Sequence, residues 1–215
     1  MERGWLLSLP VLKVRVPRGG RWEHRRVDKA ARLLYRQGVR RVLPLREFER
    51  WDILNARGLW AVDALPLYRA MAAQLVLAAL AGRGEDPRNA AVVLRGDHVD
   101  AELAAAARKL CPLVRHLAVD TQRGGRQLCR ELYWQYGAAV EPGQAGQDWL
   151  SVRFNGENCG EDLVLCAQPR LMGLEVYAPG LAVPEELEQA PLLTALWQAG
   201  LLSAQQIRIV PNKFS

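Results

Sequence analysis

Between residues 89 and 140 the chain alternates short apolar runs with segments of helical period, and no other feature constrains the fold as tightly. Residues 90–95 (AAVVLR) and 114–119 are apolar runs, residues 99–110 and 124–136 repeat at helical spacing, and residues 138–140 close the series. A β-α-β-α-β order is that of a parallel sheet with crossover helices, because parallel neighbours need a long connection that a helix supplies. Such sheets collect ligands at the carboxyl ends of their strands. That rule selects Gly96, Asp97 and His98 after the first run and Asp120 after the second.

The same grammar extends towards the N-terminus. Residues 11–16 (VLKVRV) alternate apolar with basic as a half-exposed strand does, and residues 27–37 form a helix with Gly38 in the position that favours a left-handed residue. Strands over 39–45 and 59–62 bracket a helix over 48–57, and residues 65–80 form a helix apolar on two sides, hence covered on two sides. The stretch 82–88 (GRGEDPR) interrupts the periodicity with two glycines, a proline and four charges, which divides the chain into an N-terminal basic α/β part, 1–84, and a C-terminal α/β part, 85–215. One continuous sheet and two lobes both remain open. Beyond residue 140 the pattern changes: 149–154 and 163–167 read as a hairpin or as edge strands, followed by a strand at 174–177, a helix over 192–199 and a last strand at 207–210. The expected class is α/β with a mostly parallel sheet.

Composition narrows the functional classes. The 215 residues are 50% hydrophobic and 24% charged, an ordinary globular balance, and no apolar stretch is long enough for a membrane span. The four cysteines form no C-x-x-C pair and the chain lacks a secretory h-region, so a reduced, cytoplasmic protein is expected. Charge is uneven. Residues 1–50 hold 14 Lys/Arg against 5 Asp/Glu, whereas the formal net charge of the chain is +6, so the remainder is slightly acidic. An anionic partner or a solvated basic face would each account for this.

At the first turn of the parallel unit, Gly96-Asp97-His98-Val99-Asp100-Ala101 holds one glycine where a dinucleotide loop carries three. The absent glycines would let a backbone approach a pyrophosphate, and Asp97 and Asp100 suit a helix cap better than a phosphate. Asp120 lies 24 residues after Gly96, near the place of the acid that holds an adenine ribose. The string Val119-Asp120-Thr121-Gln122-Arg123-Gly124-Gly125-Arg126 resembles the corresponding segment of Rossmann-type NAD(P)-dependent dehydrogenases, in which an acid or an arginine selects the cofactor. The helix at 65–80 resembles the one leading into the cofactor domain of shikimate-dehydrogenase-like enzymes. The resemblance covers residues 65–140 and implies a Rossmann-like C-terminal unit with a degenerate glycine motif, so NAD(P) is a disfavoured cofactor.

Three sites follow. Thr121, Arg123, Gly124, Gly125 and Arg126 could cradle a phosphate or carboxylate between backbone N–H groups and two guanidiniums. His98, Asp97 and Asp120 would permit acid-base chemistry if gathered at one edge. Arg18, Arg21, Trp22, Arg25 and Arg26 mix cations with an aromatic ring, as single-stranded nucleic acid requires. No P-loop, zinc-spaced Cys/His set or nucleophile elbow is present, so no metal is expected. Three readings stay open: a small anionic or nucleotide-like ligand at the carboxyl edge, a non-catalytic scaffold for another protein, and nucleic-acid binding through the basic segment.

Overall fold

A computed structural model describes residues 1–17, 19–143, 146, 148–157 and 160–211. Arg18 and Cys159 lie outside them. The chain forms two compact units, one from residues 1–64 with 178–207 and the other from residues 65–177 with 208–215. This differs from a division at 84/85. The helical segment after residue 64 buries its apolar side in the core of the second unit, and the segment after residue 177 belongs to the first.

In the first unit, β1 (Glu2–Leu6) and β2 (Leu9–Lys13) pair antiparallel, so the strand expected at 11–16 starts earlier and ends at Lys13. The connecting residues Leu7 and Ser8 both have positive φ, 49° and 69°. Helix α1 (Glu23–Arg36) buries Val27, Ala31 and Leu34 against Ile53 and Leu54 of α2 (Trp51–Asn55) and against Leu59. Around α2, β3 (Arg41–Val42) and β4 (Trp60–Ala61) pair in parallel, each much shorter than the apolar run that contains it. Helix α7 (Gln189–Gln198) contributes Leu192 and Leu196 to a second cluster with Leu187, Leu6, Leu9 and Leu43.

The second unit opens with α3 (Leu65–Ala70) and α4 (Ala72–Gly82), one apolar segment broken at Met71. There follow β5 (Ala91–His98), α5 (Ala101–Leu110), β6 (His116–Arg123), α6 (Gly125–Tyr136) and β7 (Glu141–Pro142). The three strands are neighbours and parallel, as the alternation implies, although the closing strand is Glu141–Pro142 and not residues 138–140. Then β8 (Leu150–Arg153) pairs in parallel with the free side of β5, and β9 (Leu163–Val164) in parallel with β8. The full order is β7-β6-β5-β8-β9.

A hairpin between the segments at 149–154 and 163–167 is therefore absent. Strand β9 runs parallel to β8, and of these two segments β9 is the edge strand, β7 being the other edge of the sheet. A two-stranded antiparallel ribbon, β10 (Leu174–Tyr177) with β11 (Arg208–Pro211), completes the unit. It packs on α4, which also meets α5 and β8, so this helix is covered on two sides as its apolar pattern demands.

Alternate residues of the central strands enter one core. Val92 and Leu94 of β5, Leu117 and Val119 of β6, and Val152 of β8 pack with Leu75 and Leu80 of α4, Leu103 and Leu110 of α5, and Leu132 of α6. The register aligns Leu94 with Val119 and Val152, and one position on it aligns Arg95 with Asp120 and Arg153. Because side chains alternate along a strand, the charged row lies on the face opposite the helical layer.

Candidate functional site

The carboxyl edge is closed by its own side chains. Strand β5 continues to His98 and β6 to Arg123, so Gly96, Asp97 and His98 are strand residues and not a loop, with Gly96 opposite Thr121 and His98 opposite Arg123. Strand order reverses between β5 and β8, the position at which open α/β sheets leave a crevice. Here Asn155, just after β8, fills it. Its Oδ1 accepts from the backbone N–H of Asp97 at 2.7 Å and of His98 at 3.3 Å, and its Nδ2 donates to the His98 carbonyl at 3.1 Å and to Asp100 Oδ2 at 2.7 Å.

Gly96 exists for this clamp. A Cβ there would stand 2.7 Å from Asn155 Oδ1, and Gly96 lies outside the positive-φ residues, so it serves side-chain clearance and not a turn. We therefore expect Gly96→Ala to lower stability by about 1–3 kcal/mol through overpacking and lost hydrogen bonds. Chemical denaturation checks this, and a midpoint matching the wild type would show that the clamp accommodates a methyl group.

An internal carboxylate stands where a ligand anion would. Asp100 caps α5, its Oδ1 accepting from the Leu103 N–H at 2.9 Å, while Arg69 donates to its Oδ2. Partial burial acts to raise the Asp100 pKa, but the Leu103 amide, Asn155 and Arg69 outweigh it and hold the carboxyl below its usual value. The sign follows: its contribution to stability is present above the unfolded-state pKa and fades as pH falls through the lowered folded value.

The proposed acid-base trio is not assembled. Asp97 and Asp120 lie on the face of the charged row, whereas His98 has the parity of Gly96 and Leu94 and faces the opposite way. Asp120 instead approaches Arg95, Oδ2 to Nε at 3.4 Å. On that row Arg153 meets the fully buried Glu161 carboxylate through Nε at 2.8 Å and through Nη2, and Arg95 Nη1 stands 4.0 Å from the same oxygen. Sequence reasoning missed Asn155, Arg69, Arg95, Arg153 and Glu161. The only available signal was the parity that aligns Arg95 and Arg153 on adjacent strands.

The second cluster is brought together at the start of α6. Gly124 is the N-cap in the left-handed region with φ 84°, and a Cβ on it would meet Val99 at 3.2 Å. No side chain caps the helix, and exposed Arg123 and Arg126 flank it. A Cβ on Gly125 would stand 2.6 Å from Thr121 Oγ1, a buried hydroxyl with no hydrogen-bond partner among the described residues.

The third cluster is built on α1. Trp22, Arg25, Arg26, Lys29, Arg32 and Arg36 are all exposed and fall within an arc of about 120° over about 20 Å of helix. The helix's two acids lie outside that arc, although Asp28 at its margin pairs with Arg32 of the stripe. Glu23 accepts from the Gly19 N–H at 3.0 Å, and Asp28 pairs with Arg57 at 2.6 Å and Arg32 at 2.7 Å, contacts that lower its pKa, the Arg57 hydrogen bond most. Arg21 and Arg25 approach the Trp22 ring, their guanidinium carbons 5.9 and 4.4 Å from its centroid.

Among the described residues no group of His, Cys, Asp and Glu could hold a metal ion, and no helix is long and apolar enough to cross a membrane. Burial raises the thiol pKa values of Cys111 and Cys129, which lie in the core as inert side chains. Comparison of the chain with protein-family models, with curated proteins and with solved structures finds no match.

Proposed function

We propose that the protein binds a polyanion through the solvent face of α1, and that its parallel-sheet unit serves as a non-catalytic scaffold. The observation that carries this reading is the exposed basic stripe of Arg25, Arg26, Lys29, Arg32 and Arg36, of which Arg32 is paired with Asp28 at its margin. A basic amphipathic helix often signals a membrane surface, but the apolar side of α1 is already spent on Ile53, Leu54 and Leu59. What remains outward is mostly charge, with the exposed Leu33 among it, and this fits a row of phosphates better than an acyl layer.

The scaffold half of the proposal rests on the closed edge. The order β7-β6-β5-β8-β9 corresponds to the 3-2-1-4-5 order of doubly wound sheets and supports a Rossmann-like reading of the second unit. Asn155 and Asp100 occupy the place where such a sheet takes a pyrophosphate, which weighs against NAD(P) there. One observation favours a second reading, a small phosphate or carboxylate at the start of α6: the uncapped helix between Arg123 and Arg126, with the unsatisfied Thr121 hydroxyl beside it.

Binding of labelled oligonucleotides at several salt concentrations tests the polyanion reading. Counterion release makes affinity fall with salt at a log-log slope of about −0.7 per phosphate contact on a single strand. The triple substitution Arg26→Gln, Lys29→Gln, Arg36→Gln should make the slope shallower by about 2 and leave the fold intact, since these side chains are exposed. Absence of binding to both single strands and duplexes at low salt would overturn it.

A further inference from the structure

We infer that the polyanion carried by α1 is single-stranded nucleic acid, with Trp22 as the platform for one unpaired base; the inference rests on the polyanion reading above. Trp22 retains 48% of its surface in contact with solvent although the turn that presents it is well fixed. Glu23 N–H donates to the Gly20 carbonyl at 3.1 Å, Arg26 N–H to the Trp22 carbonyl at 3.1 Å, and the Glu23 side chain holds Gly19. A large ring is thus held out to water by a rigid turn at the end of the cationic stripe. Ordering of the backbone in this turn lowers the cost of arranging the loop on binding.

The ring's neighbours specify the ligand further. Arg25 lies over one face of the indole, 4.4 Å from its centroid, with Arg21 at 5.9 Å, so that a base stacking on the remaining exposed ring surface would have phosphate-pairing groups within the reach of one nucleotide. Arg26, Lys29 and Arg36 continue along the same face for the phosphates that follow. A duplex would use the cations but not the ring, because its bases are stacked inside and show only edges. A baseless polyphosphate would use the cations alone.

The experiment compares four probes at equal salt: an unstructured oligothymidylate, a duplex hairpin of matched length, inorganic polyphosphate, and vesicles rich in phosphatidylserine. The expected result is that the full chain binds oligothymidylate about 5- to 100-fold more tightly than the duplex or polyphosphate. Trp22→Ala should remove that advantage while leaving the salt slope unchanged, and Trp22→Phe should restore most of it. Circular dichroism and the melting temperature verify that both variants fold. Equal affinity for the three phosphate polymers, or an unaltered preference in Trp22→Ala, overturns the single-strand inference and leaves the polyanion reading standing. No binding to any polymer overturns both, and vesicle binding without oligonucleotide binding overturns both in favour of a lipid surface.

Discussion

Replacing Glu161 with alanine should lower the free energy of unfolding by about 3–5 kcal/mol, because it strips a buried guanidinium of its carboxylate. The Glu161 side chain is wholly inaccessible and that of Arg153 is 13% exposed, and their contact is a two-pronged one through Nε and Nη2. Arg95 adds a second positive charge at the same oxygen's edge. Without Glu161, Arg153 loses this carboxylate in a poorly solvated place, while Arg95 keeps Asp120. Glu161→Gln keeps an acceptor and should cost less than alanine. Urea denaturation at neutral pH measures both, and a loss below 1 kcal/mol in the alanine variant would show that water enters to solvate the arginines.

Phe154→Ala should cost a comparable amount, about 3–5 kcal/mol, by a different route. Phe154 is entirely buried in the core cluster at the end of β8, and it precedes the clamp residue Asn155. Truncation opens a cavity between sheet and helices and loosens the point from which Asn155 reaches over β5. Trp134→Ala is the matching control, since that larger ring is 83% exposed and its loss should change stability by less than about 0.5 kcal/mol. Melting curves of the two variants decide the matter: similar losses would mean that Phe154 is not the packing anchor described.

The sequence made some of this fold legible and concealed the rest for identifiable reasons. Strands β5 and β6 and helices α5 and α6 were readable because each is a local pattern, an apolar run or a helical period, that burial on one sheet rewards. Hairpin β1–β2 escaped notice because its turn uses Leu7 and Ser8 at positive φ, where glycine or asparagine is the usual signal. Asn155-Gly156 misled in the opposite sense. The pair reads as a hairpin turn, yet Asn155 is spent on atoms 55 to 58 residues away. Gly96 likewise read as the remnant of a phosphate loop when its lack of a side chain serves the same clamp.

Of the candidate sites, the basic stripe was partly visible. Arg21, Trp22, Arg25 and Arg26 were singled out by composition, whereas Lys29, Arg32 and Arg36 joined them only once the helical phase was known. The His98, Asp97 and Asp120 trio failed because a strand persists to His98, and strand alternation then separates what a loop would have gathered. Strand ends are set by hydrogen bonds to a neighbour, which no short window of sequence contains.

The first compact unit is assembled from two stretches of chain that lie far apart in the sequence. During synthesis, Leu6, Leu9 and Leu43 emerge well before Leu187, Leu192 and Leu196, the residues that cover them. Roughly 140 residues must be added in between, which at about 5–20 residues per second takes about 7–28 s. For that interval the nascent chain carries an incomplete apolar cluster while the parallel sheet is being made. The late arrival of α7 thus sets the moment at which the N-terminal region can complete its core, and any stalling of translation before residue 187 prolongs its exposure to aggregation or to chaperone capture.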